Sequence, residues 1–276
     1  MSSTTELTST RSPRVTAARR LVKRAFRDRD GRFLAEGPQA CREAAGVPGA
    51  LLELYVTAEA ADRHPEIVAA ARASGAEVVR ASGEVVGSLS GTVTPQGMVG
   101  VCATGPVTSS LDALLSGPQR LVTVLAHARD PGNVGTVIRC SDAAGAGGVV
   151  LTEASVDPLN PKAVRASAGS LFHLPVVTGP TVADLVARMH DAGLQVLAAD
   201  GAGERDLDDL EDAGTLNAPT AWLFGNEAWG LPEKTRALAD QVVRVPIHGR
   251  AESLNLATAA AVCLYASARA QRRRTP

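Results

Sequence analysis

From Leu254 to Ala268 the chain runs fifteen residues without a charge, and most of them are Ala, Leu and Val. Such a stretch reads as a helix, and a helix apolar on every side must be buried on every side, by its own domain or by a second subunit. The residues before it set how it is entered. Val242 to Val245 reads as a short strand stopped by Pro246, because proline donates no backbone hydrogen bond and forces its predecessor out of helical geometry. A polar loop follows, and Ser253 reads as the helix N-cap. That loop offers backbone N–H groups, a hydroxyl and an amide, which suit a small polar ligand. Taken alone it is more simply a loop that caps a core helix.

The 276 residues suffice for one large domain or two of ordinary size. With 45% hydrophobic residues but only 3% aromatic ones, the core must be built from Ala, Val and Leu. No run of 18 apolar residues marks a membrane span, and the N-terminal MSSTTELTST lacks the apolar segment of a secretory signal. Cys41, Cys102, Cys140 and Cys263 lie far apart with no CxxC pair, which argues against a zinc site or a disulfide framework. Cys140 and Cys263 fall on expected helices among apolar neighbours and are expected to be buried free thiols. The simplest compartment is the cytoplasm.

A net charge of −1 conceals an uneven distribution. Residues 11–32 carry nine basic groups (Arg11, Arg14, Arg19, Arg20, Lys23, Arg24, Arg27, Arg29 and Arg32) against two aspartates, and Arg269, Arg272, Arg273 and Arg274 crowd the C-terminus. This asymmetry favours a polyanionic partner, nucleic acid, over a solvated helix face.

Residues 1–10 are polar and expected to lie outside the fold. Val15, Ala18, Leu21, Val22 and Phe26 recur at helical spacing and predict one helix. Strands are expected at residues 32–36, 52–56, 77–79 and 97–102, with helices at 39–45, 65–74 and 83–90. Together they make a small α/β sandwich over residues 1–105. Residues 104–118, rich in Pro, Gly and Ser, read as a linker. Strand–helix alternation then resumes over residues 118–276, with an acidic surface loop from Glu204 to Asp212, and implies a parallel sheet covered on both faces.

The glycine clusters give little support to a dinucleotide fold. Gly145-Ala146-Gly147-Gly148 follows a helix and precedes a strand, and Gly201-Ala202-Gly203 lacks both the third glycine and a following helix. Three other loops leave the C-terminal ends of expected parallel strands, where α/β sheets bind ligands. They are Asp130 to Arg139, Leu223 to Pro232, and Pro246 to Asn255. Asn133 can cap the first helix, with Arg139 six residues on. His127, at the strand end before the first loop, is more readily structural than an RNA contact, and His248 lies within the third loop.

These loops resemble the three motifs of the SpoU-type RNA ribose 2′-O-methyltransferases of the SPOUT superfamily. Asn133 and Arg139 match the first motif, Gly225, Asn226 and Glu227 the second, and Ser253, Leu254 and Asn255 the third. The first domain resembles the L30e-like substrate-binding domain that often precedes them, and Thr94-Pro95-Gln96-Gly97-Met98 matches its usual sequence. The resemblance implies a parallel sheet with a C-terminal trefoil knot, S-adenosylmethionine as cofactor, a metal-independent transfer and a homodimer built on the C-terminal helix. It implies cofactor contacts at Ala199, Gly225, Asn226, Ile247 and Leu254, with glycine at 225 letting the ligand come close. It also implies catalysis by Asn133, Arg139, Glu227, Ser253 and Asn255. Arg139 would stabilise the developing alkoxide, because a guanidinium is a poor base. Asn133, Ser253 and Asn255 would orient Arg139 and the ribose, and Glu227 would hold Arg139 or the methionine end. The implied substrate is ribosomal RNA. A tRNA ribose methyltransferase, or a non-catalytic RNA-binding assembly factor on the same fold, are the alternatives. Trp229 in the second loop is bulkier than usual there and bears on how RNA approaches.

Overall fold

The computed structural model describes residues 6–272. Arg273 and Arg274, counted above with the basic C-terminus, and the first five residues lie outside the described residues. The chain forms two compact units, one of residues 1–108 with 157–173, the other of residues 109–156 with 174–276.

The first unit is built on a four-stranded sheet, in the order β1 (Arg32–Glu36), β4 (Met98–Ala103), β2 (Leu51–Val56), β3 (Glu77–Arg80). The first two pairings are antiparallel and β2–β3 is parallel. The single N-terminal helix expected from periodicity is two, α1 (Pro13–Arg20) and α2 (Arg24–Asp30). Leu21 buries itself at the break, and the carbonyls of Leu21 and Val22 are taken up by Nη1 of Arg27. Leu7 is not free: its N–H donates to the Arg80 carbonyl and it packs into the core with Tyr55 and Val85. The remaining helices of this unit are α3 (Pro38–Gly46), α4 (Ala58–Arg63), α5 (Pro65–Ala73) and α6 (Gly83–Leu89). Pro38 at the first turn of α3 and Pro65 at that of α5 fit where no helical N–H is needed.

The expected linker, residues 104–118, contains a short helix, α7 (Leu111–Leu115), with Leu111 and Leu114 buried in the second unit's core. That unit carries a fully parallel seven-stranded sheet. Its order is β7 (Val176–Thr178), β6 (Val149–Leu151), β5 (Leu121–Leu125), β10 (Thr220–Phe224), β8 (Gln195–Ala199), β11 (Gln241–Arg244), β9 (Arg205–Asp206). Every residue of β5, β6 and β10 is buried, as a parallel sheet covered on both faces requires. Helices α8 (Pro131–Ala144), α10 (Val182–Asp191) and α13 (Leu256–Arg272) are its longest; α12 (Glu233–Arg236) is a single turn. The stretch expected to be an acidic loop holds β9 and α11 (Leu207–Asp212), with Leu207 and Leu210 buried beneath its carboxylates.

Helix α9 (Pro161–Ala166) belongs with the first unit, although the sequence places it in the second domain. Its neighbourhood explains why. Arg165 donates to Glu36 at the end of β1 (2.9 Å), Phe172 stacks on Phe33, and Arg27 donates to Asp157 through Nε (2.8 Å). Burial alone would raise the Glu36 pKa. Hydrogen bonds from Ser90, Thr92 and the Gly91 N–H, together with Arg165, outweigh it and hold the carboxyl below its ordinary range.

Its own unit does not bury helix α13 on every side. Thr258, Val262, Tyr265, Arg269 and Arg272 form one exposed stripe at three- and four-residue spacing. Cys41, Cys102 and Cys263 are buried, and burial pushes the Cys41 and Cys263 thiols up to about 12. Cys140 is only half-buried, against expectation, because it lies at the edge of the face that α8 leaves open. Among the described residues no helix is long and apolar enough to cross a membrane.

Candidate active site

Strands β5, β10, β8 and β11 are consecutive in the sheet and parallel, so the loops after them emerge at one end. This is the end at which open α/β sheets bind ligands.

The loop after β5 turns at His127, whose φ of 55° is left-handed. Its N–H donates to Thr152 Oγ1 and its Nδ1 lies 3.1 Å from the Glu153 carbonyl, which ties the turn to the loop after β6. The cap of α8 is Asp130, which accepts from the Gly132 N–H, and not Asn133, which lies inside the first turn. That frees the Asn133 amide for longer-range bonds.

The loop after β10 is closed by paired backbone bonds between Asn226 and Gly230, at 3.0 and 2.9 Å. Asn226 Oδ1 accepts from the Ala228 N–H inside the turn, and its Nδ2 donates to the His127 carbonyl. Asn226 is 5% exposed and serves as a staple between the two loops. A Cβ on Gly225 would lie 2.4 Å from the Gly230 carbonyl carbon. The chain folding back over position 225 is by itself enough to require glycine there.

Glu227 ties the first two loops. Its carboxylate accepts from the backbone N–H groups of Arg129 and Asp130 and from Asn133 Nδ2, each at 3.2 Å. Asn133 Oδ1 in turn accepts from Asn255 Nδ2 at 3.1 Å, and Asn255 Oδ1 takes the Ala257 N–H at the head of α13. Asn255, not Ser253, therefore caps that helix. Glu227, Asn133 and Asn255 thus form one hydrogen-bonded chain joining all three loops.

Beside this chain lies a cavity of about 450 Å³. Of the expected cofactor residues, Ala199, Gly225, Asn226, Ile247 and Leu254 all line it, as do Glu227, Ser253 and Asn255. Val243, Val245, Ile247, Leu254 and Leu256 give it an apolar side, while Asp200, Glu227 and Glu252 give it carboxylates. The volume is within the usual range for small-molecule sites. An apolar wall for a purine and carboxylates for a cationic sulfonium and ammonium fit S-adenosylmethionine.

Asp200 was missed in the sequence. It accepts from the backbone N–H groups of Ala202 and Leu231 (2.9 and 3.1 Å) and from Arg236 (3.3 Å), fixing the far end of the second loop. The available signal was a carboxylate directly after a strand and before Gly201-Ala202-Gly203. Arg139 is not in the cluster. It is exposed on α8 and makes no hydrogen bond or ion pair with the described residues. About 100° of turn per residue puts it roughly 120° around the helix from Asn133.

Residues 120–265 match the SpoU rRNA Methylase family, and residues 12–100 match the MRM3-like substrate binding domain. The chain belongs to the SpoU rRNA methylase family. Among SpoU relatives, it is 32% identical to an uncharacterized tRNA/rRNA methyltransferase of Synechocystis, over 96% of this chain and 94% of that one. It is 30% identical to the 23S rRNA (guanosine(2553)-2'-O)-methyltransferase RlmP of Bacillus subtilis, over 94% and 98%. The AdoMet-bound rRNA methyltransferase from Sinorhizobium meliloti superposes with a TM-score of 0.81 at 32% identity, covering 99% of both chains. S-adenosylmethionine is accordingly the cofactor of this SpoU chain.

Proposed function

We propose that this chain methylates a ribose 2′-hydroxyl of ribosomal RNA with S-adenosylmethionine. The observation that carries the reading is the Glu227–Asn133–Asn255 chain, which fixes three loops around one cavity of the right size and lining. The cofactor, when bound, supplies an electrophilic methyl group on a sulfonium. Ala199, Gly225, Asn226, Ile247 and Leu254 hold its adenosine, and the carboxylates on the cavity wall face its cationic end. Asn133 and Asn255 present the remaining amide hydrogens and lone pairs to the ribose. Ser253, exposed at the rim and bonded to no other described residue, offers a hydroxyl there.

Arg139 acts on the 2′-oxygen. Its guanidinium has no carboxylate partner among the described residues, so its donors are available to an oxygen gaining negative charge. Of the two roles expected for Glu227, holding Arg139 has no support, because its oxygens accept from the Arg129 and Asp130 N–H groups and from Asn133. The hydroxyl proton leaves to a phosphate oxygen or to solvent.

We further infer a homodimer. Helices α8 and α13 pack on each other, and α13 keeps an open stripe of Thr258, Val262 and Tyr265. Val262 and Tyr265 are large apolar groups left 39% and 53% exposed, which pairing with a second copy would cover. The trefoil knot is part of the same reading, supported by the loops after β10 and β11 converging on one cavity. A ribosomal RNA substrate implies the cytoplasm.

The test is incubation with tritiated S-adenosylmethionine and 23S rRNA from cells lacking the gene, followed by alkaline hydrolysis. A labelled, alkali-resistant dinucleotide is expected, because a 2′-O-methyl group blocks cleavage. No label, or label on an alkali-sensitive nucleotide, overturns the reading.

A further inference from the structure

Resting on that reading, we propose that the Trp229 indole is a stacking platform for an unpaired base of the RNA beside the ribose to be methylated. The chain holds two tryptophans and buries one completely: Trp222 is 0% exposed and donates to Ser267. Trp229 is 56% exposed, and its indole N–H has no acceptor among the described residues. In a chain with so few aromatic residues, an indole left in water at the mouth of the site is an outlier that its own fold does not explain.

The loop that carries it is fixed. The Asn226–Gly230 backbone pair closes the turn, Asn226 pins it to His127, Asp200 holds Leu231, and Glu227 clamps it to the Arg129–Asp130 backbone. The indole is thus presented on a rigid turn, with little ordering left to be done on binding. Ala228 and Gly230 line the cavity on either side of it, but Trp229 does not. The ring consequently stands outside the cofactor space, next to it.

Two further features favour RNA over a protein partner. Arg129, whose backbone N–H meets Glu227, is exposed with no partner for its guanidinium among the described residues, and supplies a cation on the same loop junction. Moreover, proteins that select a site in RNA read splayed bases, and stack them on aromatic rings. Such stacking tolerates any base while holding the adjoining ribose in place.

The test uses acrylamide quenching of tryptophan fluorescence lifetimes. Trp222 is inaccessible to the quencher, so the response reports Trp229. The free protein should be readily quenched, S-adenosylhomocysteine should leave that unchanged, and an unmethylated 23S rRNA transcript should protect. Trp229→Ala should weaken binding of the transcript roughly tenfold, whereas Trp229→Phe keeps it within about twofold and both keep cofactor affinity. The turn's own bonds do not involve the indole, so neither variant should threaten folding.

Protection by S-adenosylhomocysteine alone would make Trp229 a cofactor lid and overturn the proposal. Protection in the free protein that rises with concentration would make it a subunit contact and do the same. So would unchanged RNA affinity in Trp229→Ala. If the wild-type protein fails to methylate rRNA, the functional reading itself has failed; if it methylates while Trp229 stays quenchable in the complex, only this inference has.

Discussion

Arg27 in α2 and Arg139 in α8 carry the same guanidinium in opposite surroundings. Arg27 has a side chain 3% exposed; it gives two bonds to the Leu21 and Val22 carbonyls and two to Asp157. Arg139 is exposed and bonded to nothing described. Both lie in stretches that the sequence assigns to RNA work. A guanidinium whose donors are all engaged holds the fold together, while one with free donors remains available to a substrate. The basic run divides in the same way. Arg14 is engaged by Glu53 and Glu77, and Arg29 by Asp30, whereas Arg19, Arg20 and Lys23 have no ion pair among the described residues. Arg20 packs instead over the Phe26 ring at 5.6 Å.

Arg27→Ala should give the largest effect, and on stability. Removing it strands Asp157 in a nearly buried position and reopens two carbonyls at the α1–α2 break, for a loss of about 3–5 kcal/mol. Chemical denaturation measures it, with the RNA salt dependence of the folded protein unchanged. Weaker RNA binding at full stability would instead place Arg27 on the RNA.

Arg139→Ala should do the reverse. Methyl transfer should fall roughly a hundred- to a thousandfold, while stability stays within about 0.5 kcal/mol of wild type. Single-turnover kinetics and cofactor calorimetry separate the two; cofactor affinity should hold, because the guanidinium is absent from the cavity lining. Retention of most activity would end its assignment to the ribose.

The smallest effect is expected from replacing Arg19, Arg20 and Lys23 together by Ala. If each meets one phosphate, the slope of log affinity against log salt should shrink by about two, at roughly 0.7 per contact for single-stranded RNA. Rate at saturating RNA should be nearly preserved. A slope identical to wild type would reduce this face to ordinary solvated charge.

The parallel sheet was legible because its strands are short apolar runs between helices, a pattern that survives without any knowledge of contacts. The motif residues were legible as types, and the cavity gathers the five expected cofactor positions. Their bonding was not. That Asp130 caps α8 and so releases Asn133 depends on a side-chain rotamer, and the engagement of Glu227 by the Arg129 and Asp130 amides depends on two loops distant in sequence meeting. The break after Arg20 was hidden for a similar reason: Leu21, Val22 and Phe26 keep a helical period across it. Only the later Arg27, by capping the freed carbonyls, makes the break stable.

The segment 157–173 bears on how the protein can be taken apart. Its sequence neighbours on both sides lie in the other unit, yet its side chains complete the sheet face of the first, through Asp157 on Arg27, Arg165 on Glu36 and Phe172 on Phe33. A cut near residue 108 does not release a finished module. It yields an N-terminal fragment in which Phe33 is uncovered, Arg27 lacks Asp157 and Glu36 lacks Arg165. Grafting the first unit onto another enzyme would require carrying a seventeen-residue piece from the middle of the methyltransferase, reconnected by new loops. Recombination of such modules in nature is subject to the same restriction: both pieces must travel together.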